Sequence, residues 1–208
     1  MQSLPPVTLV GERVRLEPLD LAHAAGLWAA ADGPRGTFVL THVPASAVEA
    51  HRYIEQALAL RDAGAALPFA IVDAKENAVV GSTRFGNIER WQWPAGDRRQ
   101  RPPEQPDAVE IGWTWLAERA QRTGINREAK LLLLSHAFET WQCHRVTLKT
   151  DARNLRSRAG IEGIGGKLDG ILRAHMPAAD GGIRDTALYS IVAGEWPAVK
   201  ARLVERLR

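Results

Sequence analysis

A single cysteine, Cys143, stands in 208 residues. One thiol excludes an internal disulfide and any metal site built from several cysteines. A reducing, cytoplasmic setting is the expectation that follows. No apolar run approaches the roughly 18 residues of a membrane span, so no membrane partner is expected. The opening Met1-Gln-Ser-Leu-Pro-Pro6 lacks the basic region and apolar core of a secretion signal. Histidines are few and scattered, none paired at i, i+4, so no metal is expected. Lysine is scarce as well: only Lys75, Lys130, Lys149, Lys167 and Lys200 occur. The net charge of +3, with a sequence pI near 9.3, is therefore carried mainly by arginine. Arginine holds phosphate through a planar fork of donors. Such an excess fits a phosphate-bearing small molecule, nucleic acid or an ordinary basic surface.

What is present is the make-up of a globular chain, 45% hydrophobic and 25% charged, long enough for one domain with a sizeable core. Its centre is Val109 to Leu134, which reads as strand, polar turn with one glycine, and long helix. In the strand, Val109, Ile111, Trp113 and Trp115 alternate with Glu110, Gly112, Thr114 and Leu116, giving one apolar face. The helix from about Asn126 to Trp141 carries Leu131, Leu134, Phe138 and Trp141 on a wide apolar stripe. A turn at a helix start offers free N–H groups and the positive end of the helix dipole to a phosphate.

Around this centre the chain alternates strands and helices. Val7 to Leu19 reads as one half-buried strand, and Asp20 caps a helix burying Leu21, Ala24, Ala25 and Trp28. Ser46-Ala-Val-Glu49 is a capping box for a second helix. Leu67–Asp73 and Ala78–Ile88 form a hairpin turned by Lys75-Glu-Asn77. Residues 89–106 have no period, hold four prolines, Trp91, Trp93 and the basic run Arg98 to Arg101, and read as a surface insertion or a lid. His144–Thr150 is a strand, Asn154 opens a short helix ending near Gly165-Gly166, and Lys167–His175 and Arg184–Val192 are two more strands. Pro197 starts a closing helix. The order β α α β β β α β α β β α predicts an α/β (α+β) fold, a mixed, mostly antiparallel sheet of about seven strands with flanking helices, as a single domain over residues 1–208.

This order resembles the GNAT superfamily of acyl-CoA N-acyltransferases, and within it the RimJ/RimL-type ribosomal-protein N-terminal acetyltransferases. The resemblance rests on Arg13-Val-Arg-Leu-Glu-Pro18, Glu110-Ile-Gly-Trp113, Gln121-Arg-Thr-Gly-Ile-Asn126, Asp151-Ala-Arg-Asn-Leu-Arg-Ser157, Arg184-Asp185 and Tyr189-Ser190. The family's pyrophosphate turn runs Gln/Arg, two residues, Gly, one residue, Gly or Ala. Gln121 and Gly124 match, while the last position is Asn126. The resemblance implies acetyl-CoA as co-substrate and a sheet splayed at its fourth and fifth strands. The pantetheine arm would lie in that gap against Trp113, Trp115 and Leu116, with Asn154 and Ser157 as further contacts. The pyrophosphate would sit on Gln121, Arg122, Thr123, Gly124, Ile125 and Asn126, with Arg119 and Arg127 as additional candidates.

The chemistry implied is attack of a primary amine on the thioester. At neutral pH roughly a tenth of a protein α-amine is already neutral, against well under 0.1% of a lysine, so an α-amine needs little from a base. Glu110, opposite the Ile111 face, is the candidate base; its structural alternative is a pairing with an arginine such as Arg84. The tyrosine acid of many superfamily members would fall at Ile161, so Ser157 takes its place, hydrogen-bonding the leaving thiolate. Tyr189 is a weaker donor candidate. Gly160 and Gly163, inside the Ser157 helix, should loosen it. The leading function is acetylation of a protein or peptide N-terminus, with a ribosomal protein as one such partner. The alternatives are acetylation of a small amine (aminoglycoside, polyamine or peptide antibiotic), or a ribosome- or RNA-binding module. A homodimer is expected from the family's habit.

Overall fold

The computed structural model describes residues 3–102 and 104–208. Met1 and Gln2 at the start of the chain, and Pro103 of the insertion, lie outside the described residues. One mixed sheet of eight strands forms the frame, in the order β1-β2-β3-β4-β5-β6-β8-β7. The strands are β1 Leu9–Val10, β2 Val14–Pro18, β3 Ala66–Asp73, β4 Ala78–Glu89, β5 Ala108–Leu116, β6 Arg145–Asp151, β7 Lys167–Pro177 and β8 Ile183–Val192. Every neighbouring pair is antiparallel except β5 and β6. The helices are α1 Ala24–Ala31, α2 Ala47–Asp62, α3 Ile125–Ser135, α4 Leu155–Gly163 and α5 Trp196–Glu205.

The expected fold class is observed, with one strand more than the expected seven. Val7–Leu19 is not one strand: the chain turns at Gly11 and pairs Leu9 with Leu16. A residue that periodicity left unremarked holds this turn. Glu128 on α3 is buried, and its carboxylate accepts the N–H groups of Glu12, Arg13 and Val14 at 3.1, 2.7 and 2.9 Å. A carboxylate answering three backbone donors can be buried at little cost.

The apolar residues fall into two clusters, one on each face of the sheet. Phe69, Phe85, Ile111, Leu133 and Leu134 belong to the face covered by α3 and α5. Leu27, Phe38, Ile54 and Trp115 belong to the face covered by α1 and α2. Helix α1 buries Ala24, Leu27, Ala30 and Ala31 rather than the set read from sequence. Its first turn, Leu21–His23, is 3₁₀, which turns the helix face against a 3.6-residue register and leaves Leu21 and Ala25 outside. Asp20 does cap that turn, accepting from the Ala22 N–H at 2.9 Å. Helix α3 starts at Ile125 and continues through a π-helical turn, His136–Thr140, which buries Ala137 and Phe138.

Two departures from regular pairing shape the centre. First, β5 carries a bulge. Ser82 pairs with Trp115 and Arg84 with Gly112, so two steps on β4 oppose three on β5, and Trp113 takes the left-handed φ of 51°. The bulge shifts the alternation by one, so Trp113 and Trp115 do not share the face of Ile111 as expected. Trp113 meets Arg84 and Lys149 on the α2 side, and Trp115 packs against Phe38 and Tyr53 there. Gly86 makes room for the Trp113 ring, which a Cβ at that position would meet at 2.5 Å. Second, β5 and β6 pair only at Ala108↔Arg145, Val109↔Val146 and Glu110↔Thr147, and then part. These are the fourth and fifth strands of the sequence reading, and the expected splay is there.

Candidate active site

Helices α3 and α4 both begin at the end of the sheet where β5 and β6 have parted. Ligands of parallel strand pairs sit in such a crevice, outside the carboxyl ends of the strands. The turn into α3 carries Arg122 at φ 63° and Gly124 at φ 94°, which also stands as the helix N-cap. Both values lie in the left-handed region, where glycine is free of strain and arginine is not. Gly124, the N-cap of α3, has no side chain to turn on the helix amides, and the Ile125 N–H reaches Thr123 Oγ1 only at 3.5 Å. The first amides of α3 therefore point outward with the helix dipole behind them, a cradle for an anion. Arg122, Thr123 and Asn126 are exposed around it.

The side chains of the turn divide their tasks. Gln121 is structural: its amide donates to the Leu116 carbonyl at 3.0 Å, and its carbonyl accepts from Arg156 at 3.3 Å. Thr123 donates its hydroxyl to the Ala120 carbonyl at 2.8 Å. Arg122 has no hydrogen bond or ion pair among the described residues. Arg119 and Arg127, the additional phosphate candidates, are otherwise engaged. Arg119 lies 3.7 Å from Glu76, and Arg127 donates to the Arg206 carbonyl at the end of α5 at 2.8 Å. Of the three arginines only Arg122 is left to face a ligand.

Asn154 and Ser157 arrive beside this turn through Arg156, which ties α4 to Gln121 and also donates to the Thr37 carbonyl at 2.8 Å. Asn154 caps α4, its Oδ1 accepting the Ser157 N–H at 3.0 Å. The Ser157 hydroxyl has no partner among the described residues. Helix α4 runs through Gly160 and ends at Gly163, and Gly165, φ 98°, follows its C-cap Ile164, where the glycine pair led one to expect the end. Ile161, in the place of the family's tyrosine, is buried in the core. Tyr189 is a fully buried strand residue whose hydroxyl donates to Glu162 and accepts from Arg158, both at 2.9 Å. It is not placed to donate to a ligand.

Glu110 is 4% exposed, on the α2 side of β5 just where β6 departs. Its partner is not Arg84. Lys149 of β6 lies 3.0 Å from its Oε2, and the Asn87 amide donates to the same oxygen at 2.6 Å. Oε1 has no hydrogen-bond partner among the described residues and lies over Gly112, where an added Cβ would come within 2.9 Å. One carboxylate oxygen is thus held and the other is open. Asn87 reaches it from a second bulge, on β4, at φ 43°. Beneath the β5 bulge, on the opposite face, Lys130 of α3 donates to Thr114 Oγ1 at 2.6 Å. Burial pushes the Lys130 ammonium down to about 7.

Asn87, Lys149, Arg84 and Arg156 were not read from the sequence as site residues. Each stands alone in its segment and is brought in only by pairing or packing. An asparagine after Gly86 in a strand, tolerant of positive φ, was the one visible signal. The insertion folds onto the other end of β5: Asp107 accepts from the Trp91 N–H at 2.7 Å and from Trp93 Nε1 at 2.8 Å, and the Trp91 ring stacks on His144. Cys143 is buried, with burial pushing its thiol up to about 12, and donates to the Pro106 carbonyl at 3.3 Å. Among the described residues no group of three or more His, Cys, Asp or Glu could hold a metal, and no helix is long and apolar enough to cross a membrane.

An antiparallel sheet that parts at its one parallel pair, above an uncapped helix start, is the GNAT fold of acyl-group transferases. Residues 13–167 match the profile of the acetyltransferase (GNAT) domain, and the chain belongs to that family. A putative acetyltransferase from T. thermophilus is 33% identical, covering all of both chains, with a TM-score of 0.78. A GCN5-related N-acetyltransferase from Brucella melitensis is 25% identical over all of this chain and 88% of its own, with a TM-score of 0.81. Mycobacterium smegmatis RimJ, solved in complex with CoA-disulfide, shares the fold at 24% identity and a TM-score of 0.77, covering 99% of this chain and 97% of its own. No curated protein matches the sequence.

Proposed function

We propose that the whole chain is one acyltransferase domain that moves an acetyl group from acetyl-CoA to an N-terminal α-amine of a protein or peptide, in the manner of the RimJ/RimL-type enzymes. The observation that carries this is Glu110: a buried carboxylate at the mouth of the parted strands, with one oxygen held by Lys149 and Asn87 and the other open. A positioned carboxylate of that kind suits an acceptor already partly neutral at pH 7. The basic run of the insertion speaks for an enzyme rather than an RNA-binding module. Arg99 is bound to Asp97 at 2.7 Å, and Arg101 lies among Asp107, Gln142 and His144.

Acetyl-CoA, when bound, supplies an activated acyl carbon. The Arg122 side chain and the first amides of α3 hold its phosphates. The edge of β5 from Gly112 to Leu116, free of β6, offers backbone donors and acceptors to the pantetheine amides. Asn154 places Ser157 at the start of α4. Glu110 Oε1 takes the proton of the attacking amine, directly or through one water. The amine nitrogen bonds to the acyl carbon as the C–S bond breaks, and the Ser157 hydroxyl hydrogen-bonds the departing thiolate, which takes up a proton from solvent. A serine does not titrate near pH 7, so it stabilises charge rather than delivering a proton.

The test is thiol release from acetyl-CoA with a panel of N-terminal peptides, including ribosomal-protein N-termini, polyamines and aminoglycosides. Turnover on peptides is expected. Turnover on small amines alone would move the assignment to a small-molecule acetyltransferase. Salt-sensitive RNA binding without any turnover would indicate the binding module. In the same assay Glu110→Gln should lower kcat/KM and remove the acidic limb of its pH profile; an unaltered profile would sink the base assignment.

A further inference from the structure

Beside Glu110, on the neighbouring strand, lies a guanidinium without a hydrogen-bond or ion-pair partner among the described residues. Arg84 is 4% exposed, and its backbone pairs with Gly112 in the β5 bulge. Its Cζ lies 5.4 Å from the Tyr53 ring centroid and 5.2 Å from that of Trp113. Among the described residues it has no hydrogen bond and no carboxylate within ion-pair distance. Its Nε is buried without a partner. Buried charges are otherwise paired almost without exception. The neighbouring charges do not serve it, because Glu110 and Lys149 pair with each other. Arg84 therefore leaves one uncompensated positive charge on this face. Aromatic rings attract the guanidinium but give its in-plane N–H donors nothing to bond. Those donors match the two oxygens of a carboxylate.

We propose that Arg84 receives a carboxylate of the acceptor, so that the site selects amines carrying an acidic group a few bonds away. The inference rests on the reading of Glu110 as the base that meets the acceptor amine. Along the β4–β5 ladder Arg84 and Glu110 occupy successive same-face rungs, Arg84↔Gly112 and Gly86↔Glu110. Such rungs are about 7 Å apart along the backbone, near enough for one short acceptor to meet both side chains. The same spacing admits a single amino acid. Polyamines and aminoglycosides, cationic throughout, are disfavoured by this charge.

Matched acceptors decide the matter: peptides beginning with Asp or Glu against Asn or Gln, and the single amino acids glutamic acid α-amide against glutamine α-amide, which differ only in the side-chain carboxylate. The protein should prefer each acid over its amide by about ten-fold or more in kcat/KM, mainly through KM. Arg84→Gln should bring that ratio close to one, and Arg84→Lys should keep part of it, which separates lost charge from a disturbed fold. The peptide and single amino-acid arms tell which source of carboxylate the site takes. Equal use of acid and amide, or a preference that survives Arg84→Gln, overturns the assignment. Binding of the same pairs in the presence of CoA, followed by tryptophan fluorescence, provides a readout without turnover. Acid-selective binding that Arg84→Gln abolishes, without thiol release from any amine, keeps the role of Arg84 and rejects the transfer reaction. No acid selectivity in either measurement rejects the role of Arg84.

Discussion

Lys130 is buried beneath the β5 bulge, and burial brings its ammonium down to about 7 from an ordinary 10.5. Between those values the unfolded chain holds a proton that the folded chain has released. Stability must therefore rise with pH across that window and level off below it, where both states are protonated. The melting temperature should climb by on the order of 5 °C from pH 7 to pH 9. Lys130→Met should flatten the climb and be the more stable protein at neutral pH. A wild-type curve with no such rise would mean that the ammonium is hydrated. Ser157 is tested through rate rather than stability. Its hydroxyl has no partner to lose among the described residues, so Ser157→Ala should slow turnover by about ten-fold or more and leave CoA affinity nearly unchanged. Unaltered turnover would remove it from the chemistry. At this scale the sequence was half legible. Ser157, Asn154 and Gly124 stand in a recognisable order along the chain. Arg84, Asn87 and Lys149 come from segments with no shared spacing, and only strand pairing brings them to Glu110.

On the proposed reading, cofactor affinity depends on the turn into α3. Gly124 holds a φ of 94°, and the nearest atom to an added Cβ would be Arg13 Cδ at 3.5 Å. Gly124→Ala would thus strain the backbone without a clash, at roughly 1–2 kcal/mol. Relief comes by moving the first amides of α3, so the weakening should appear in CoA affinity as much as in stability. Equal CoA affinity in variant and wild type would mean that these amides do not carry the phosphates. The turn and both flanking elements were visible in sequence, because helix periodicity and a lone glycine are local signals. The face of Trp113 was not. A one-residue bulge reverses every later side chain of a strand, and hydrophobic alternation cannot show where the extra residue sits. The same holds for α1, where a 3₁₀ first turn shifted the buried stripe.

For the molecule as a whole, a ligand that bridges α3, α4 and the parted strands should stabilise all of them together. At a hundred times its dissociation constant, acetyl-CoA should add about 2.7 kcal/mol, a rise of roughly 5–10 °C for a chain of this size. No shift at saturating concentration would sink the CoA site. The sequence by itself determined the fold class, the element order apart from the turn at Gly11, and the strand–turn–helix that carries Gly124. Those depend on local periodicity, caps and chain order, which a linear string carries. Among the described residues, the tertiary structure alone decided which of three arginines is left without a partner, which oxygen of Glu110 stays open, and that Arg84 lies beside it without a counter-charge. Each of these is a matter of partners drawn from distant segments, and pairing register and bulges, rather than spacing along the chain, choose those partners.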